Sequence, residues 1–185
     1  MSDYRRWYVP GGTYFFTVVV QNRRPLFATT DVRALLGNAI RSICDESPFQ
    51  TIAMVLLPDH LHAIWQLPPG DDAYSSRWQR IKSRFTTDLR CSGYSMPIVS
   101  QTRRERGEHG IWQRRFWEHV VRDEAELEAY FDYIHWNPVK HGYVKHPADW
   151  EPTTFHRHVD SGHYPREWGR CEPQTIRTID DRLCE

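Results

Sequence analysis

Residues 51–67 read Thr-Ile-Ala-Met-Val-Leu-Leu-Pro-Asp-His-Leu-His-Ala-Ile-Trp-Gln-Leu. Two apolar runs, 51–57 and 60–67, flank the turn-forming pair Pro58-Asp59, which predicts a β-hairpin. Side chains on a strand alternate between faces, so His60 and His62 project together while Leu61 turns into the packing on the other side. Two neutral imidazoles side by side can chelate a divalent cation. The same pair can also be ordinary polar-face residues. It gains chemical meaning only beside a third ligand and a reactive group.

Outward from the hairpin, the pattern continues as alternating elements. Thr13 to Gln21, rich in β-branched and aromatic residues after Pro10-Gly11-Gly12, predicts a strand. Val32, Leu35, Leu36, Ala39, Ile40 and Ile43 keep helical spacing, with Thr29 or Thr30 as the cap. Trp78, Ile81, Phe85 and Leu89 form the buried stripe of a second helix capped by Ser75 or Ser76. Cys91 to Gly110 is polar and weakly periodic, a long loop. Trp112 to Val121 predicts a last strand. A third long helix starts at Asp123, with Glu126 as its capping-box partner, and is expected to stop at Pro138. The order strand, helix, strand, strand, helix, strand, helix predicts an α+β fold, an antiparallel sheet with packed helices. An irregular C-terminal tail, 146–185, is expected to pack on a domain spanning 1–145.

Composition narrows the classes. The 185 residues carry 24 Lys and Arg against 24 Asp and Glu. Zero net charge argues against an indiscriminate nucleic-acid binder but leaves room for local basic patches. The four cysteines, Cys44, Cys91, Cys171 and Cys184, have no metal-knuckle spacing and read as reduced thiols of a cytoplasmic protein. No apolar run approaches the ~20 residues of a membrane span.

The third helix supplies what the histidine pair lacks. Leu127, Tyr130, Phe131 and Ile134 form its apolar stripe. Tyr133 and Asn137, four apart, lie one above the other on the flank of that stripe. There a phenol could point along the seam between helix and sheet, and an amide oxygen could join two imidazoles as a third ligand. The alternatives are a packing tyrosine and a helix-end asparagine.

Together, Leu-Leu-Pro-Asp-His60-Leu-His62-Ala-Ile-Trp and Tyr133-Ile-His-Trp-Asn137-Pro-Val-Lys-His-Gly resemble the REP-associated tyrosine transposases, HUH-type single-tyrosine enzymes. The opening Tyr4-Arg-Arg-Trp-Tyr-Val-Pro-Gly-Gly-Thr-Tyr-Phe-Phe-Thr, the stretch Gly110-Ile-Trp-Gln-Arg-Arg-Phe-Trp-Glu-His and Phe155-His-Arg157 share that likeness. The resemblance implies a ferredoxin-like HUH nuclease fold, with His60, His62 and Asn137 as metal ligands and Tyr133 as nucleophile. Tyr130 is the rival nucleophile, but it lies in the apolar stripe. The implied activity is metal-dependent cleavage and strand transfer of single-stranded DNA at repetitive extragenic palindrome hairpins beside a short tetranucleotide. It would proceed through a 5′-phosphotyrosine with Mg²⁺ or Mn²⁺. Ligand preference alone would lean towards Zn²⁺ or another transition metal. A monomer is expected over a dimer.

DNA contacts are expected from Arg5, Arg6 and Trp7 at the start, from Arg77, Arg80, Lys82 and Arg84 on the second helix, and from Trp112, Arg114, Arg115 and Trp117. Arginines interleaved with aromatics suit phosphates and splayed bases together. His156, His158 and His163 read as structural or solvated. Two other functions compete. A hairpin-binding regulator without cleavage would bind in a salt-sensitive way and form no adduct. An unrelated metal hydrolase would need His60 and His62 but not Tyr133.

Overall fold

The computed structural model describes residues 6–179. Four strands form one sheet: β1 (Thr13–Val19), β2 (Gln50–Leu56), β3 (His60–Gln66) and β4 (Trp117–Val120), in the order β2-β3-β1-β4 with every neighbouring pair antiparallel. With α1 (Thr30–Glu46) between β1 and β2, and α2 (Tyr74–Cys91) between β3 and β4, this is the expected ferredoxin-like α+β arrangement. The hairpin closes over Pro58-Asp59, where the Leu57 amide donates to the His60 carbonyl at 2.8 Å.

Strand alternation divides the core into two layers. Phe16, Val18, Leu61, Ala63 and Trp65 face α1 and α2, where Trp65 stacks on Trp78 at 4.1 Å. Phe15, Val55 and Ile64 face α4 (Glu124–Lys140) and the segment that follows it. That segment is bound to the edge of β2: the Leu56 amide donates to the Pro152 carbonyl, the Thr154 amide to the Met54 carbonyl, and Val55 bridges Thr153. It carries α5 (Phe155–Asp160) and buries Phe155, Tyr164 and Ile176 against α4. Consequently α4 is not half-exposed. Every residue from Ala129 to Pro138 is buried, because sheet and tail cover opposite sides of it.

Several boundaries differ from expectation. The second helix starts at Tyr74, so its cap position falls on Ala73 and not on Ser75 or Ser76. The Asp71 side chain accepts from the Ala73 amide at 2.8 Å and starts the turn earlier. The loop after α2 contains a short helix, α3 (Gln101–Glu105). The last strand is confined to Trp117–Val120, while Trp112 meets Val20 through an isolated bridge. The third long helix does begin at Asp123, whose carboxylate accepts from the Glu126 amide at 2.8 Å, but Glu126 reaches back to the Arg122 amide instead of closing the box on Asp123.

Pro138 does not stop α4, which runs on to Lys140 and is capped by the His141 amide donating to the Asn137 carbonyl. Proline removes only its own amide donor and crowds one carbonyl a turn earlier. So close to a helix end, that loss is tolerated within a buried element. Among the described residues, no helix is long and apolar enough to cross a membrane.

Candidate active site

The antiparallel register sets Thr17 of β1 opposite His62 of β3, and Val19 opposite His60. Both imidazoles therefore project to the α4 side, with ring centroids 4.9 Å apart. They are 1% and 0% exposed. Each is held from behind by its Nδ1. His60 Nδ1 donates to Asp59 Oδ1 at 2.6 Å, and His62 Nδ1 bonds Thr17 Oγ1 at 2.9 Å. Asp59 comes from the tight turn itself. Its backbone carbonyl accepts from the Val20 amide, and the Pro58 carbonyl accepts from the Phe27 amide. Burial alone would raise the Asp59 carboxyl, but the His60 ring and Arg23 outweigh it and hold the group below its usual range. Burial, together with the neighbouring His60 and His141, pushes the His62 imidazole well below its ordinary value, so it is neutral and carries a lone pair.

Tyr133, 1% exposed, sets its ring 5.3 Å from His62 in an edge-on contact. His141, two turns further along the same helix, sets its ring 5.5 Å from His60. Asn137, fully buried, lies midway between them on that face. Tyr130 is packed on Phe15 at 4.5 Å and lies 5.3 Å from the His119 ring.

Polar atoms at this junction are buried without a hydrogen-bond partner among the described residues, among them His60 Nε2, His62 Nε2 and both amide atoms of Asn137. Buried polar groups are rarely left so. Two imidazole nitrogens whose rear partners are already fixed, with one amide oxygen beside them, suit a divalent cation with open positions. Among the described residues no three His, Cys, Asp or Glu side chains are gathered to hold a metal.

Lys140 was absent from the expected site. Its Nζ stands 3.4 Å from the Tyr133 hydroxyl and 4.9 Å from the centre of that ring. Positions 133, 137 and 140 fall on one helical face, a signal readable in the sequence once the helix is allowed to run past Pro138.

The expected DNA contacts separate into groups. Arg6, Lys82, Trp112 and Arg114 line one groove of about 880 Å³ with Gln79 and Phe116. Arg6 lies 4.3 Å over the Phe116 ring and pairs with Ser75 and Glu118. Lys82 Nζ lies between the rings of Trp112 and Phe116, at 5.6 and 5.5 Å. The groove reaches the site end of the sheet, because Trp112 bridges Val20 and the Gln113 amide donates to the carbonyl of Val19, the residue opposite His60. Arg114, Arg115 and Trp7 are exposed; Arg80 is partly exposed and pairs with Glu46, and Arg84 is exposed and pairs with Asp88.

Arg77 is a correction. It is 4% exposed, with its guanidinium bound to Asp71 and to the carbonyls of Ser47 and Pro48. That makes it a structural tie between α2 and the start of β2. Trp117 also leaves the interleaved set. Strand alternation turns it to the α4 side, against Phe15 at 5.6 Å, while Phe116 enters the opposite layer. Arg5 and Cys184 lie outside the described residues. Cys44, Cys91 and Cys171 are free thiols. His158 and His163 pack on Phe131 at 4.6 and 4.7 Å, and His156 bonds the Trp150 carbonyl.

Fold and site together set a buried tyrosine of a packed helix beside a histidine pair on an inner strand of a four-stranded antiparallel sheet. Residues 9–137 match the family described as "Transposase IS200 like", and the chain belongs to that family of transposases. Within it the chain is similar to the REP-associated tyrosine transposase of Escherichia coli (strain K12), 45% identical over 168 residues that cover 91% of each chain. A solved structure described as "Structure of the REP associates tyrosine transposase bound to a REP hairpin" superposes with a TM-score of 0.76 at 42% identity, covering 95% of this chain and 96% of that one.

Proposed function

We propose that this chain is a metal-dependent single-stranded DNA endonuclease and strand transferase. It acts on REP-type hairpins with a single-stranded flank, with Tyr133 as nucleophile. The observation that carries this reading is the junction of the Tyr133 ring with a buried, rear-anchored imidazole pair beside an unpartnered Asn137 amide. His60, His62 and Asn137 would hold Mg²⁺ or Mn²⁺, which when bound polarises the phosphate and favours ionised oxygen nucleophiles.

The chain's own residues do the rest. Tyr133 is held rigidly by packing, so its oxygen meets phosphorus along a defined line. The Oη–P bond forms as the P–O3′ bond breaks. The phenolic proton leaves to solvent, and the departing 3′-oxygen takes up a proton. The DNA 5′ end stays on Tyr133 as a phosphotyrosine ester. Because that ester is retained, a second 3′-hydroxyl can attack it and release the phenol without an external energy source.

The groove containing Arg6, Lys82, Trp112 and Arg114 suits the hairpin, with cations for phosphates and flat rings for unpaired bases. The relative bound to a REP hairpin supports that class of partner.

The test is incubation of the protein with a REP hairpin oligonucleotide and Mn²⁺, followed by denaturing electrophoresis. A covalent adduct is expected from the wild type and from Tyr130→Phe, and none from Tyr133→Phe. An adduct that persists in Tyr133→Phe would remove the nucleophile assignment. Tight hairpin binding with no adduct from the wild type would instead identify a non-cleaving DNA-binding regulator.

A further inference from the structure

The Tyr133 oxygen has a neighbour that the metal-ligating trio does not account for. Lys140 Nζ lies 3.4 Å from it, and the ammonium approaches across the ring, 4.9 Å from the centroid. The side chain starts from the last turn of α4, which exists only because the helix runs through Pro138. Tyr133 and Lys140 sit on the same rigid element, seven residues apart. The helix therefore fixes the spacing of their backbone positions and keeps the lysine side chain within reach of the phenol.

The reaction charges one oxygen twice. In cleavage, Tyr133 Oη sheds its proton as it bonds to phosphorus. In strand joining, a 3′-hydroxyl attacks phosphorus, the P–Oη bond breaks, and the electron pair returns to Oη before it regains a proton. Negative charge gathers on the same atom in both directions. A preplaced ammonium donor at that atom lowers both barriers without having to reorganise.

We infer that Lys140 is a further catalytic residue of this enzyme, acting on the tyrosine oxygen as nucleophile and as leaving group. The inference rests on the reading of Tyr133 given above. It assigns Lys140 to Oη, not to the departing 3′-oxygen, and so makes a distinct prediction about substrate chemistry. A 3′-bridging phosphorothiolate at the scissile position supplies a sulfur leaving group that departs without a proton. Loss of a leaving-group acid is repaired by that substitution. Loss of a group that stabilises the nucleophile is not.

The experiment compares wild type, Lys140→Met, Lys140→Arg and Tyr133→Phe on a REP hairpin oligonucleotide with Mn²⁺, with an oxygen or a sulfur at the scissile 3′ position. Adduct formation and joining to a second strand are followed in single turnover, and hairpin and Mn²⁺ affinities are measured in parallel. Lys140→Met should slow both steps by roughly 10- to 100-fold. Hairpin and Mn²⁺ affinities should hold, Lys140→Arg should recover part of the rate, and the sulfur substrate should leave the defect in place.

Unchanged rates in Lys140→Met, beside a wild type whose adduct depends on Tyr133, would overturn this inference alone. Repair by the sulfur substrate would overturn it in favour of an acid at the 3′-oxygen. A parallel loss of Mn²⁺ affinity would overturn it in favour of a structural role at the metal. A wild type that forms no adduct would overturn both this inference and the function it deepens.

Discussion

Thr17 shows how much of this site is decided one side chain away from the chemistry. Its hydroxyl bonds Nδ1 of His62 at 2.9 Å from the neighbouring strand, and with the ring proton on Nδ1 the Nε2 lone pair is bare towards α4. Asp59 does the same for His60 from the adjacent turn. Partners behind a metal-binding histidine fix its tautomer and orientation. Thr17→Val keeps the shape and removes the acceptor, so Mn²⁺ affinity is expected to fall about 10-fold, as read by titration with paramagnetic resonance. An affinity equal to that of the wild type would show that the ring is held by packing alone. At this scale the sequence was informative: His60, His62, Tyr133 and Asn137 are brought to one junction as the alternation of a strand and the turn of a helix require. Arg77 was not legible. A basic residue in a basic stretch looks exposed until Asp71 and two carbonyls from another element are seen to enclose it.

The elements carry a second set of consequences. In α4, an all-round buried face replaces the expected stripe, and the helix outlasts its proline, both because the tail covers the side that a lone helix would show to water. In α2, Lys82 is pressed between Trp112 and Phe116. Burial, with a smaller contribution from Arg6, pulls its ammonium down to about 8. A DNA phosphate favours the protonated form, whereas the free protein sheds that proton as pH rises through this value. Hairpin affinity at fixed salt should therefore weaken between about pH 7 and pH 9, and Lys82→Met should bind more weakly at pH 7 and lose this dependence. Fluorescence anisotropy across that range checks it. An identical pH profile for both proteins would take Lys82 out of the interface. Element existence was readable from periodicity, whereas the start of α2 and the shortness of β4 depended on Asp71 and on how Trp112 pairs with Val20.

For the whole molecule, the tail is part of the core rather than an attachment to it. Asp132, buried beside Tyr133 on α4, accepts from the Tyr164 hydroxyl at 2.6 Å and from the Thr175 hydroxyl at 2.6 Å. Burial, reinforced by that carboxylate, pushes the Tyr164 phenol far above its ordinary range, so it remains a donor at any working pH. Tyr164→Phe leaves a buried carboxylate short of one bond and should cost about 1–3 kcal/mol. A drop in melting temperature of about 2–4 °C per kcal/mol is expected for a chain of this size, in a single transition seen by both near- and far-ultraviolet dichroism. Two separated transitions would mean that the tail melts independently of the sheet.

The amino-acid sequence by itself determined the sheet-and-helix alternation, the shared face of the two histidines and the phase of Tyr133 with Asn137. Each follows from backbone geometry within a few residues, where periods of two and of about 3.6 leave little choice. Tertiary structure alone decided which faces met. It sent Trp112 and Trp117 to opposite layers, enclosed Arg77, carried α4 past Pro138 and so brought Lys140 to the tyrosine oxygen. Those outcomes depend on neighbours far along the chain, whose packing no local pattern encodes.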